Sequence, residues 1–126
     1  MLLKDISFVI PVYNRPNEID ELLKSFSRLE GDKDFEIVII EDGSTEKCDH
    51  IVKSFSDLNI SYHLKSNSGP GDSRNYGMSV AKGKYYVILD SDVILPVNYN
   101  LLLIENLINN FSDCFGGVDD SHQSFN

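Results

Sequence analysis

Phe35-Glu36-Ile37-Val38-Ile39-Ile40 is an apolar run of strand length, nearly continuous and without polar alternation. A strand with one wet face alternates apolar and polar residues, so this run needs cover on both faces, as an inner strand of a parallel sheet has. The rest of the chain supplies the other parts of such a sheet. Ile6 to Val12 is β-branched and aromatic and reads as a first strand, stopped by Pro11 and the Asn14-Arg15-Pro16 turn. Leu58 to Leu64 gives a weaker third strand, Lys84 to Leu89 a fourth, and Cys114-Phe115-Gly116-Gly117-Val118 is expected to open a fifth.

Helical patterns separate these runs. Pro16 suits a first helical position, and Ile19, Leu22, Leu23, Phe26 and Leu29 repeat on one stripe up to Gly31. Ser44 or Thr45 is expected to cap a second helix with Cys48, Ile51, Val52 and Phe55 facing inward. Asp72 to Lys82, closed by Gly83, follows the flexible Asn67-to-Gly71 turn and reads as a short third helix, with Met78 and Ala81 as packing residues. After Pro96, a stripe through Leu101, Leu102, Ile104, Glu105, Leu107, Ile108 and Phe111 predicts a fourth. Strand and helix alternate throughout, which implies an α/β fold: a mostly parallel sheet with helices on both faces and right-handed crossovers.

The chain has 126 residues, 41% of them hydrophobic, enough for a single core. Its net charge of -9, from 20 acidic and 11 basic residues, argues against a sequence-independent nucleic-acid binder. An anionic ligand would need local help from a metal, an Arg or a helix N-terminus. Cys48 and Cys114 are far apart in sequence without metal-ligand spacing and read as free thiols of a reduced compartment. Met1-Leu2-Leu3-Lys4-Asp5 has no signal-peptide pattern, and runs such as Val87 to Leu89 and Leu101 to Ile104 fall short of the ~20 residues that span a bilayer. The expectation is a soluble, cytoplasmic protein, with peripheral membrane association left open for regions outside this chain.

In open parallel sheets, ligands bind beyond the carboxyl ends of the strands, near a switch in strand order. The acids gather there. Tyr13 and Asn14 after strand one, Asp42 after strand two, and Asp90 with Asp92 after strand four are expected to converge on one rim. In extended chain Asp90 and Asp92 would share a face about 6.6 Å apart, repelling by roughly 2 kcal/mol. A divalent cation, a basic side chain or water would answer that repulsion. Simpler roles stand beside these: a turn cap for Asp42, packing for Tyr13, and solvation for Glu41 and for the Asp119-Asp120 pair. His50, His63 and His122 lack mutual metal spacing.

Val9-Ile10-Pro11-Val12-Tyr13-Asn14-Arg15, Glu41-Asp42-Gly43-Ser44, the Gly69-to-Gly77 segment containing Ser73-Arg74-Asn75, and Leu89-Asp90-Ser91-Asp92 resemble, in order and spacing, glycosyltransferase family 2. The resemblance implies a GT-A-like (Rossmann-like) fold, truncated here after about the fifth strand. It also implies transfer of a sugar from a nucleotide-sugar donor, UDP-linked, to a glycan, lipid or other acceptor hydroxyl with inversion, as in polysaccharide biosynthesis. By that resemblance Pro11 and Tyr13 line the nucleobase pocket, Asp42 accepts a hydrogen bond from the base, and Arg74 approaches base or diphosphate. Asp90 contacts ribose or the metal's water shell, Ser91 joins the donor contacts, and Asp92 binds Mn²⁺ or Mg²⁺ with Asp90 beside it, forming a DxD motif. The family's general base lies well downstream of that motif and is expected beyond Asn126, so no catalytic residue is assigned within this chain. Residues 1–126 are expected to be the donor-binding half, without the acceptor side and without turnover.

Two other readings compete. Asp90-Ser91-Asp92-Val93 after an apolar strand also resembles the first motif of haloacid-dehalogenase-type phosphatases, with Asp90 as nucleophile, although three strand-helix units precede it here. The other is a non-catalytic nucleotide-sugar-binding or assembly module that self-associates through its truncated edge. A dinucleotide-binding dehydrogenase is disfavoured because no Gly-x-Gly-x-x-Gly follows strand one.

Overall fold

The structure is a computed structural model describing residues 3–109, with side chains described as far as residue 106. After a 3₁₀ turn at Leu3–Asp5 come β1 (Ile6–Val12), α1 (Pro16–Ser27), β2 (Glu36–Asp42), α2 (Asp49–Val52), β3 (Ile60–Lys65), α3 (Pro70–Val80), β4 (Tyr85–Ile88) and α4 (Tyr99–Asn109). The four strands form one parallel sheet in the order β3-β2-β1-β4. Sequence neighbours add to one side of β1 and then β4 adds to the other, so the strand order switches between β1 and β4. A crevice opens at the carboxyl ends beside that switch.

Alternation along β1 divides the core. Phe8 and Ile10 face α1 and α4, meeting Leu22, Phe26, Tyr99 and Leu103, while Val9 joins Val38, Ile40 and Ile88 under α3. Phe8 lies edge-on to Phe26 and Phe35, with ring centroids 5.0 and 5.1 Å away, a favoured aromatic geometry. Every residue of β2 is buried, as the continuous apolar run Ile37 to Ile40 requires, and the acids at its two ends are buried with it. On the other face Gly77 lets α3 settle onto the sheet: a Cβ there would collide with Val9 and lie 3.2 Å from Ile40. Met78 and Ala81 pack against the same cluster.

Several element boundaries differ from expectation. The first strand is not one of them: it runs Ile6–Val12 as expected, with Pro11 inside it and in register with Ile40. Leu89 N–H donates to Val9 O at 3.0 Å, so the backbone groups of Val9 point toward β4, and those of Pro11, two residues on, do too. Pairing with β4 has ended by then, at Val9 with Ile88, and the missing N–H leaves no gap in the ladder.

The second helix is a single turn capped at Cys48, because the Ser44 hydroxyl and the Thr45 amide are engaged with Asn14 and cannot start a helix. The third begins two residues early, with Pro70 in its first turn, and ends at Val80. The stripe of α4 is rotated: Leu101 and Leu102 are each 51% exposed, while Tyr99, Asn100 and Leu103 are buried. The expected fifth strand, Phe111, Cys114, Asp119-Asp120 and His122 lie outside the described residues. So does Asn126, the point beyond which the general base is expected. Among the described residues no helix is long and apolar enough to cross a membrane.

Because a methyl at Gly77 has nowhere to go between α3 and the sheet, Gly77→Ala is expected to destabilise the fold by about 1–3 kcal/mol. Urea denaturation followed by circular dichroism checks it, and an unchanged midpoint would contradict this packing.

Candidate functional site

β2 ends in two acids that face opposite ways, as consecutive strand residues do. Glu41 is fully buried, correcting the expectation that it is solvated. Its carboxylate accepts from the Ser44 hydroxyl, from Cys48 N–H at 2.8 Å and from the Tyr62 hydroxyl at 2.7 Å. Burial and this neighbouring carboxylate push the Cys48 thiol and the Tyr62 phenol well above their ordinary pKa values, so both stay protonated. Cys48 is a free thiol, as expected, and an inert one.

Asp42, on the other face, takes the Lys65 ammonium at 2.6 Å and Ser68 N–H at 2.9 Å on Oδ1, and Gly69 N–H at 3.0 Å on Oδ2. Asn67 donates to its backbone carbonyl at 2.9 Å. Burial alone would raise the Asp42 pKa. The Lys65 ammonium and the two amides outweigh it and hold the carboxyl below its usual range. Gly43, at φ 69°, makes this turn possible: a Cβ there would lie 2.6 Å from Asn67 N. Asp42 thus ties down the segment that leads into α3.

At the end of β1, Asn14 adopts φ 51°, a conformation that Asn tolerates better than most residues. Its side-chain oxygen accepts from Thr45 N–H at 2.8 Å and Glu46 N–H at 2.9 Å, and its own amide donates to Ser44 Oγ at 2.8 Å. These bonds clasp the loops after β1 and β2 together. Beyond β4 the chain leaves the sheet before Asp90, and Val93 N–H closes a turn onto Asp90 O at 3.3 Å. Asp90 therefore opens a turn that contains Asp92, and the two are not alternate residues of one extended strand.

These loops enclose a cleft of about 470 Å³ lined by Pro11, Tyr13, Asp42, Arg74, Asp90, Ser91 and Asp92, the seven residues given donor or metal roles by the resemblance; Asn14, expected on the same rim, does not line it. Tyr13 is 51% exposed at its lip. Val12, Arg15, Glu18, Pro70 and Ser73 also line it. Among the described residues the carboxylates of Asp90 and Asp92 and the guanidinium of Arg74 take part in no hydrogen bond or ion pair, in contrast to the saturated Asp42. Ser73 is buried, and its hydroxyl has no partner among the described residues. No group of three or more His, Cys, Asp or Glu side chains capable of holding a metal is found among the described residues. His63 packs edge-on against Tyr76, and His50 sits beside Asp49.

Residues 7–125 match the family described as Glycosyl transferase family 2. The chain belongs to that family. Glycosyltransferase GlyA of Streptococcus pneumoniae serotype 4 is 33% identical over 129 residues, covering 100% of this chain and 18% of GlyA. Poly(ribitol-phosphate) beta-N-acetylglucosaminyltransferase TarS of Staphylococcus aureus (strain Mu50) is 37% identical over 90 residues, covering 68% of this chain and 16% of TarS. The crystal structure of S. aureus TarS 1-349 in complex with UDP-GlcNAc superposes with a TM-score of 0.77 and 30% identity, covering 84% of this chain and 32% of that one. The fold of this family 2 chain is accordingly GT-A-like, and the chain spans less than a fifth of the length of these two curated relatives.

For this family 2 domain, some of the cleft could have been anticipated further. Lys65 is the register partner of Asp42, so a basic residue ending the third strand was a readable signal for an ion pair. Arg15 and Glu18 are three apart at the start of α1, a spacing that places both on the rim side of one turn. Ser73 gave no signal of its own. A carboxyl with a depressed folded-state pKa contributes stability above its unfolded pKa of about 3.9 and loses it as pH falls through the folded value. Between pH 5 and 2 the parent is therefore expected to lose more stability than Asp42→Asn, measured by thermal unfolding across that range; parallel pH profiles would count against the Lys65 pairing.

Proposed function

We propose that this chain is the donor-binding part of an inverting, metal-dependent glycosyltransferase that uses a nucleotide-sugar, with UDP as the leaving group. The observation that carries the reading is the pairing, in one cleft, of two partnerless carboxylates, Asp90 and Asp92, with the partnerless cation Arg74. Structural acids in this fold are saturated with donors; these two are not. A hard divalent ion is commonly held by one or two carboxylates together with substrate phosphates and water, so two acids fit it without a third protein ligand.

Asp92, with Asp90 beside it, would hold Mn²⁺ or Mg²⁺, which when bound stabilises the charge on the departing nucleoside diphosphate. Arg74 supplies a fixed positive charge toward the diphosphate or base. Pro11 and Tyr13 give the base an apolar wall at the lip of the cleft, and the Asp42 turn sets the floor on which the base is read. Asp90 and Ser91 complete the contacts to ribose and donor. That TarS crystallises with UDP-GlcNAc, in a matching fold at 30% identity, supports this choice of ligand class. Residues 1–126 serve donor binding, while the general base, beyond Asn126, and the pocket for the glycan or lipid-linked acceptor belong to the greater length that the relatives carry. The family match over residues 7–125 favours transfer over phosphatase chemistry at Asp90.

Titration calorimetry with UDP, GDP and their sugars, with and without Mn²⁺, tests the reading. UDP binding that requires Mn²⁺ and weakens about tenfold or more in Asp92→Ala, a change of at least ~1.4 kcal/mol, is expected. Arg74→Ala is expected to weaken UDP binding in Mn²⁺ as well, by removing the fixed positive charge beside the diphosphate. Absence of nucleotide binding under all conditions, or hydrolysis of simple phosphate esters, would overturn it.

A further inference from the structure

The segment that carries Asp90 and Asp92 is fastened to α1 at two points. Ser91, the residue between the two acids, donates its hydroxyl proton to Glu18 Oε1 at 2.7 Å. Four residues on, Leu95 N–H donates to the buried Ser25 Oγ at 3.0 Å. Both anchors lie on one helix whose apolar stripe is wholly buried, so they do not move independently of the core. Between them the segment's one further hydrogen bond among the described residues is the turn from Val93 N–H to Asp90 O, at 3.3 Å. Glu18 itself is half-buried in the first turn of α1, with Arg15 Nε 3.9 Å from its other oxygen.

We infer that Glu18 is a positioning residue: through the hydroxyl of Ser91 it fixes where Asp90 and Asp92 present their carboxylates to the cleft. The inference rests on the donor-site reading above. A carboxylate is the stronger acceptor for this task, since a hydrogen bond to an ionised group is shorter and tighter than a neutral one. The hydroxyl's proton is spent on Glu18, so Ser91 serves the donor chiefly by placing its two neighbours. Without the bond to Glu18, the 90–93 turn would hang from β4 at one end and Leu95 at the other, free to let the two acids drift apart. Two ligands of one cation must be held close to a common geometry, and small displacements of such groups weaken binding.

The test compares Glu18→Ala, Ser91→Ala, the double variant and Glu18→Gln, whose amide oxygen can still accept from Ser91. UDP binding in Mn²⁺ is expected to weaken about fivefold to tenfold in each alanine variant, the scale of one hydrogen bond. The double variant should be no weaker than the singles, because the two residues act through one contact. Glu18→Gln should restore most of the affinity. Amide hydrogen exchange, read without any ligand, should quicken at residues 91–93 in the alanine variants and return toward the parent rate in Glu18→Gln, with β2 unchanged in all. Unchanged exchange at 91–93 in Glu18→Ala, or additive losses in the double variant, would overturn the inference. If the parent itself binds no UDP with Mn²⁺, the donor reading fails, and the exchange rates still decide whether Glu18 holds the turn.

Discussion

Two adjacent carboxylates at the end of one inner strand tie down the loops that follow β2 and precede α3. Glu41 and Asp42 leave β2 toward opposite faces, each nearly or fully buried. A buried acid must find donors, and here the donors are the loops themselves. Glu41 gathers Ser44, Cys48 and Tyr62 on one face, while Asp42 gathers Lys65, Ser68 and Gly69 on the other. The loop after β2 and the turn before α3 are thereby referenced to the most rigid part of the sheet. Asn14 extends the same arrangement to β1, since its carboxamide receives two backbone amides of the β2 loop.

That arrangement separates two kinds of acid in a protein that has many. Acids that build the fold are saturated by donors from segments distant in sequence. Asp90 and Asp92 are exposed and carry no such partners among the described residues, which leaves both carboxylates open to whatever enters the cleft. A chain with a net charge of -9 presents Arg15 and Arg74 at this same cleft, which is where a diphosphate would need them.

The sheet was legible because its signals are strong and local: β2 is apolar without alternation, and α1 has a clean stripe from Ile19 to Phe26. That Pro11, Tyr13, Asp42, Asp90 and Asp92 would share one cleft was legible because they sit at strand ends, where topology gathers them whatever their precise contacts; Arg74, on α3, came from the resemblance. What escaped was everything set by long-range hydrogen bonds. The role of Glu41 could not be read, because its three partners come from two loop residues and a neighbouring strand, and no spacing announces them. The second helix was overestimated for the same reason: Ser44 and Thr45 are good caps in isolation, and Asn14, about thirty residues earlier, takes them for another purpose. The phase of α4 was missed because Leu101 and Leu102 are as apolar as Leu103, and only packing against the sheet decides which of three adjacent leucines turns inward.

Pro11 has a consequence beyond its own strand. Parallel strands tend to keep pairing for as long as each offers the other a donor, and β1 and β4 lie side by side with nothing between them up to Val9. The next residue on that side of β1 has no hydrogen to give. A donor is therefore missing where the ladder between β1 and β4 ends, and the opening between the two strand ends coincides with one imino acid of the covalent chain.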